Sequence, residues 1–154
     1  MISLAELKRR LENIVQIGTV SETKTKDGKA LARVVFDDDG TNVRVSAFLP
    51  VVSFANSFMR TYIPVRVKEQ VLVVSPFGNA NSGFIIRSIF NRGCKEPVGS
   101  NEHTAIIEFE DGTRIKYDSK AKLLSFDCAG DVVIKAVGNV SISAARIDLN
   151  EDKE

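Results

Sequence analysis

Tryptophan is absent from this chain, histidine occurs once, and 154 residues include only two cysteines and four prolines. Cys94 and Cys128 lie far apart, and neither stands in a Cys-x-x-Cys pair or beside His103. Zinc and dithiol redox motifs are therefore absent, and both thiols read as structural or incidental groups of a reducing compartment. No run of about 18 apolar residues is present, and Glu6, Lys8, Arg9 and Arg10 interrupt the first apolar positions. Neither a membrane-spanning helix nor a signal peptide is expected, so the protein should be made and kept soluble. Net charge is also lacking: 21 basic residues face 20 acidic ones, which builds no field for a polyanion. There is no phosphate loop and no Ser/His/Asp or Cys/His constellation. The run Asp37-Asp38-Asp39 is closed by Gly40 and reads as a solvated turn rather than an acid/base or metal site. The chain is not expected to be an enzyme.

What is present is a repeat. Gly130-Asp131-Val132-Val133-Ile134-Lys135-Ala136 recurs eight positions later as Gly138-Asn139-Val140-Ser141-Ile142-Ser143-Ala144. Val132, Ile134 and Ala136, then Val140, Ile142 and Ala144, occupy every second position, the period of a strand with one buried face. Gly130 and Gly138, each beside Asp or Asn, supply tight corners. A third, imperfect copy places Ile147 and Leu149 inward and Arg146, Asp148 and Asn150 outward. Strands of about five residues leave an apolar stripe and open edges in water, so the stack needs partners. Two or three repeats are too few for a one-chain solenoid, which favours several chains sharing one β-helix. A meander of edge strands ending a globular domain is the alternative.

The preceding chain alternates differently. Ser3-Leu4-Ala5-Glu6 has capping-box spacing, and Leu4, Leu7, Leu11 and Ile14 form a helical stripe, which predicts a short amphipathic helix over about 3–13. Strands follow at Ile17–Val20, Ala30–Phe36, Val43–Phe48, Gln70–Ser75 and Gly83–Phe90, with turn chemistry at Lys26-Asp27-Gly28-Lys29, at Asp37–Gly40 and at Pro76–Gly83. Five strands with an irregular stretch between the third and fourth suit a small Greek-key barrel of the OB type, an SH3-like barrel being the nearest rival. That stretch, Val51–Thr61, holds Phe54, Phe58 and Met59, which could plug the barrel or pack on another chain. Residues 91–104 read as a linker. Ile107, Phe109, the Asp111-Gly112 turn, Ile115 and Tyr117 then form a two-strand unit, continued by Leu124, Phe126 and Cys128. The fold class is therefore mainly β, divided into a helix (1–14), a barrel (15–91), a neck (92–104), a shaft (105–150) and a charged tail (151–154).

In this order the parts resemble baseplate assembly protein V, the central spike of contractile phage tails, and more distantly the spikes of type VI secretion systems. The segments that carry the resemblance are Ile17-Gly18-Thr19-Val20, Phe48-Leu49-Pro50, Ile63-Pro64, Lys68-Glu69-Gln70-Val71-Leu72-Val73, and Ser75-Pro76-Phe77-Gly78 through Gly83 to Ile89-Phe90-Asn91. Pro64, Glu69, Pro76, Gly78, Gly83 and Asn91 are thus the barrel's signature positions. Family members often carry Gly where Lys68 stands and Trp near Phe48. Many end in a His-x-His apex that binds iron, whereas this chain has only His103, at the neck; no metal and no cofactor is expected here.

The resemblance implies a homotrimer in a virion or virion-like particle. Its barrels would contact the tail tube and baseplate hub, and its β-helix would point at the host outer membrane and help penetrate the envelope. The intertwined trimeric axis would be lined by Val132, Ile134, Ala136, Val140, Ile142, Ala144, Ile147 and Leu149. The blunt end should be capped by a separate PAAR-type tip protein, because open edges are unfavourable in water. The competing class is an OB-fold nucleic-acid binder. It needs a basic groove with exposed stacking aromatics, against balanced charge and phenylalanines that mostly take strand-alternation or hinge positions, so no nucleic-acid partner is expected.

Overall fold

A computed structural model describes residues 2–37, 43–54 and 57–149. The Asp38-Asp39-Gly40 part of the second turn, Asn150 and the tail lie outside these. The chain divides into two units, Met1–Glu96 and Pro97–Glu154. It is mainly β, with antiparallel sheets and one short helix.

The helix, α1 (Leu4–Glu12), starts where the capping residue predicts: Ser3 Oγ accepts from the Glu6 amide at 3.2 Å. The reciprocal half of the box does not form. The Glu6 carboxylate instead takes Arg9 Nε and Nη2 at 2.8 Å and Arg10 Nε at 2.7 Å. These hydrogen bonds hold its pKa down, from an ordinary 4.5 to about 2. Two charge-assisted partners outweigh one amide.

Strand β1 (Val15–Lys26) is far longer than Ile17–Val20, because its polar second half pairs with β2 (Lys29–Asp37) out to a two-residue turn. Asp27 and Gly28 there have φ of 51° and 69°, the left-handed pair that matches strand twist. The expected third strand, Val43–Phe48, ends early as β3 (Val43–Val45), and a further short strand, β4 (Leu49–Pro50), lies just beyond it. Ser46 is the cause. It is buried, its Oγ accepts from the Val34 amide at 3.0 Å and donates to the Ala47 carbonyl at 2.6 Å, and so a side chain replaces part of the ladder. Strand β5 (Gln70–Val74), the turn Pro76–Gly78 and β6 (Phe84–Ile89) complete the unit.

The sheet order is β3-β2-β1-β5-β6, with β4 also on β2. A parallel bridge Val51↔Ile85, with the Val52 amide donating to the Ile85 carbonyl at 2.9 Å, joins the end of β4 to β6 and closes the pairings into a ring. Inside sit Val20, Ala32, Val34, Phe36, Leu49, Val65, Val71, Val73 and Ile85, all buried. Leu31, Arg33 and Val35, on the other parity of β2, are half-buried. Gly18 permits the close approach of β1 and β2: a Cβ there would sit 2.4 Å from Val34 Cγ1.

The second unit is a three-stranded antiparallel sheet, β7 (Thr104–Glu108), β8 (Arg114–Asp118) and β9 (Leu123–Asp127), in that order. The Asp111-Gly112 turn forms as expected. The Asp111 carboxylate accepts from the Thr113 amide at 2.9 Å and hydroxyl at 3.1 Å, which lowers its pKa. Beyond β9 the expected short strands do not form within the chain. Residues 128–149 have no ladder partner, but the backbone bends at 129–130, 137–138 and 145, keeping the eight-residue period of the repeat. Among the described residues no helix is long and apolar enough to cross a membrane.

Candidate functional site

Register determines what the second sheet offers. The cross-strand rows Ala105–Tyr117–Leu124 and Ile107–Ile115–Phe126 lie on one face, and Thr104–Asp118–Leu123, Ile106–Lys116–Ser125 and Glu108–Arg114–Asp127 on the other. On the second face Arg114 lies 3.8 Å from Glu108 and Lys116 3.7 Å from Asp118. The first face is apolar yet open, with Leu124 59% and Phe126 70% exposed. Among the described residues from Pro97 onward, none is buried.

The same holds along the repeat. Val132, Ile134, Val140, Ile142, Ile147 and Leu149 are all more than half exposed, and Ala136 and Ala144 are exposed as well. Val133, on the opposite parity, is as open as Val132, so exposure within one chain does not separate an inward from an outward face. A Cβ built on Gly130 or Gly138 meets nothing within 4 Å. These two glycines are not required by contacts inside the chain.

The barrel's signature positions, in contrast, are tied down within the first unit. The Glu69 carboxylate accepts from the Arg66 amide at 2.8 Å, Ser88 Oγ at 3.0 Å and Arg87 Nη2 at 3.2 Å. Arg87 also donates to the carbonyls of Ile63 at 2.6 Å and Pro64 at 2.9 Å. Glu69 and Arg87 have side chains only 14% and 20% exposed, and together they fasten the segment before β5 to β6. Arg87 was invisible as a site residue in the sequence because it falls on a strand position otherwise read by alternation. Lys68, next to this knot, has φ 78°, a conformation that favours glycine. A lysine therefore holds a strained backbone at this position.

Gly78 seats the helix. At φ 68° its missing Cβ leaves room for the Arg10 backbone, whose carbonyl oxygen would be 2.2 Å from such an atom. Pro76 opens this turn, and the Ser75 amide donates to the Ile14 carbonyl at 2.8 Å. Gly83 lies against Ser75 Oγ and the Val74 carbonyl, 2.8 and 3.0 Å from where a Cβ would stand. Asn91 closes its own turn, its Oδ1 accepting from the amides of Gly93 and Cys94 at 2.8 Å. The structure thus assembles Pro64 with Glu69, and Pro76 with Gly78 and Gly83, while Asn91 acts locally. All are packing or turn residues.

Phe36 is buried, but Phe54, Phe58, Phe77, Phe84, Phe90, Phe109 and Phe126 are exposed, and of these only Phe84 and Phe126 lie on strands. Phe48 lies under two cations, Lys24 Nζ at 3.6 Å and the Arg33 guanidinium at 4.5 Å. A cavity of about 310 Å³ opens on the first unit between Val51, Val52, Phe54, Tyr62, Ile63 and Ile86. Its one lining arginine is Arg87, already engaged by Glu69. Among the described residues no group of three or more His, Cys, Asp or Glu could hold a metal ion.

No family model matches the chain. It is similar to the spike protein of Escherichia phage P2, with 23% identity over 141 residues. The match covers 92% of this chain but 63% of that relative's length. The chain is therefore phage-spike-like in sequence across both of its units.

Proposed function

We propose that this protein is the structural central spike of a contractile phage-tail-like baseplate, of the baseplate assembly protein V type, working as a homotrimer. One observation carries the proposal: a unit rich in alternating apolar residues has no buried residue among those described from Pro97 onward. A three-stranded sheet with one bare apolar face, followed by a repeat without ladder partners, leaves apolar area and open edges in water. Two further copies supply both missing elements at once, ladder partners for residues 128–149 and cover for Ile107, Ile115, Leu124 and Phe126. The backbone bends at eight-residue spacing support an intertwined trimeric β-helix with Val132, Ile134, Ala136, Val140, Ile142, Ala144, Ile147 and Leu149 on its axis.

The ring of pairings β1-β2-β4-β6-β5-β1, with its single parallel junction, supports an OB-type barrel over 15–91. In the particle the barrels join the tail tube and hub, the shaft faces the host outer membrane, and a separate PAAR-type protein caps the tip. The work is mechanical: strands hydrogen-bonded between three chains resist bending while contraction drives them into the envelope. No catalysis and no cofactor is part of this role.

The exposed phenylalanines favour one second reading, an OB-fold nucleic-acid binder. Its weak point is charge, because the aromatic cavity's arginine is neutralised by Glu69 and the chain is balanced at +1. Light scattering on the purified protein tests the first reading. A mass of three chains is expected, and a one-chain mass with a folded shaft would overturn it. Binding of single-stranded oligonucleotide that weakens steeply with salt would instead favour the second.

A further inference from the structure

Helix α1 is fully formed yet buries none of its residues. Leu4, Leu7 and Leu11 lie at one-face spacing and are 83%, 47% and 61% exposed. A helix of nine residues is too short to persist on propensity alone, and its ion pairs, Lys8 with Glu12 and Glu6 with both arginines, lie on exposed side chains that add little. Its stripe needs cover. The same unit carries an apolar cavity with no occupant from its own helix, since no residue of α1 lines it. Nor is α1 free to move there: the Arg10 backbone is seated on Gly78, and the Ile14 carbonyl accepts from the Ser75 amide at 2.8 Å.

We propose that the Leu4-Leu7-Leu11 stripe of one copy docks into the Val51, Val52, Phe54, Tyr62, Ile63, Ile86 cavity of the next copy. Each chain carries one stripe and one cavity on the same unit, so a head-to-tail contact satisfies both in every copy. A heterologous contact of this kind closes only as a ring, and the trimer reading, on which this inference rests, supplies a threefold rotation. Anchors at i, i+3 and i+7 are those by which an amphipathic helix enters an apolar groove. The occupant is thus a second copy of this chain, and the contact clamps the barrels to one another independently of the shaft.

The test is disulfide trapping in the full chain with Cys94→Ser and Cys128→Ser as background. Leu7→Cys combined with Ile63→Cys, and separately Leu4→Cys with Val52→Cys, should on mild oxidation shift from a one-chain to a three-chain band on a denaturing, non-reducing gel. Each single-cysteine variant should stay at one chain. Light scattering on the same samples separates the two readings. A three-chain mass in solution with no cross-link from either pair would overturn the helix contact while leaving the trimer standing, and α1 would then belong to a different protein. An internal disulfide in a one-chain band would overturn it too, by showing that α1 reaches its own cavity. A one-chain mass in solution would overturn both.

Discussion

The two units spend the same kind of residue in opposite ways. In Met1–Glu96, alternation on β2 and β5 turns Ala32, Val34, Phe36, Val71 and Val73 into a sealed interior, because the pairings close into a ring and leave the sheet an inside. In Pro97–Glu154, the rows through Ile107 and Tyr117 alternate just as regularly, but three strands cannot close and the apolar face stays bare. The charged face of that sheet is the one whose side chains interact within the chain. Whether an apolar strand pattern makes a core therefore depends on closure, and closure can come from one chain or from several.

This contrast can be broken most sharply by charge. Ile134→Asp should abolish assembly by placing three unpaired carboxylates on one axis, while the first unit keeps its fold. Light scattering paired with circular dichroism would check this, and a three-chain mass would refute the axial placement. Truncation compares the units directly. Phe36→Ala should cost about 3–5 kcal/mol, and its effect on the barrel's own melting should not depend on protein concentration. Ile142→Ala should cost about 2–5 kcal/mol per chain and lower an unfolding midpoint that itself falls on dilution, as for any fold completed by association. Denaturant curves at two concentrations distinguish them.

Smaller changes sharpen the first unit. Gly78→Ala should destabilise by about 1–3 kcal/mol, through its positive φ and a clash with the Arg10 backbone. Faster proteolysis at 1–14 would report that α1 has lost its seat. Lys68→Gly should act in the other direction, stabilising by about 0.5 kcal/mol, as relief of a left-handed lysine exceeds the added freedom of the unfolded chain; thermal melts check the sign. The weakest effect is acidic. Glu6 has its pKa depressed to about 2 from 4.5, so its pairing with Arg9 and Arg10 supports α1 fully above pH 4.5. That support fades as the pH falls through about 2. A carboxyl carbon NMR titration should place the Glu6 midpoint well below 4.5.

Local patterns were readable wherever a short-range rule decides. Ser3 capping α1, the Asp27-Gly28 and Asp111-Gly112 turns, and the eight-residue bends all follow from neighbours within a turn or two. The length of β1 was not readable, because its polar second half is a strand only by pairing with β2. Nor was the break at Ser46, which depends on the Val34 amide far along the chain. Glu69 was legible as a position, but its partner Arg87 was not, since a salt bridge joins residues that only the β5–β6 pairing brings together.

By itself the sequence determined that the chain is mainly β, where its helix begins, and that its end repeats every eight residues, because periodicity and capping are properties of adjacent residues. Only the tertiary structure decided which alternating faces are covered, since burial needs a second surface. The first unit finds that surface in its own closed sheet, and the second has none among the described residues.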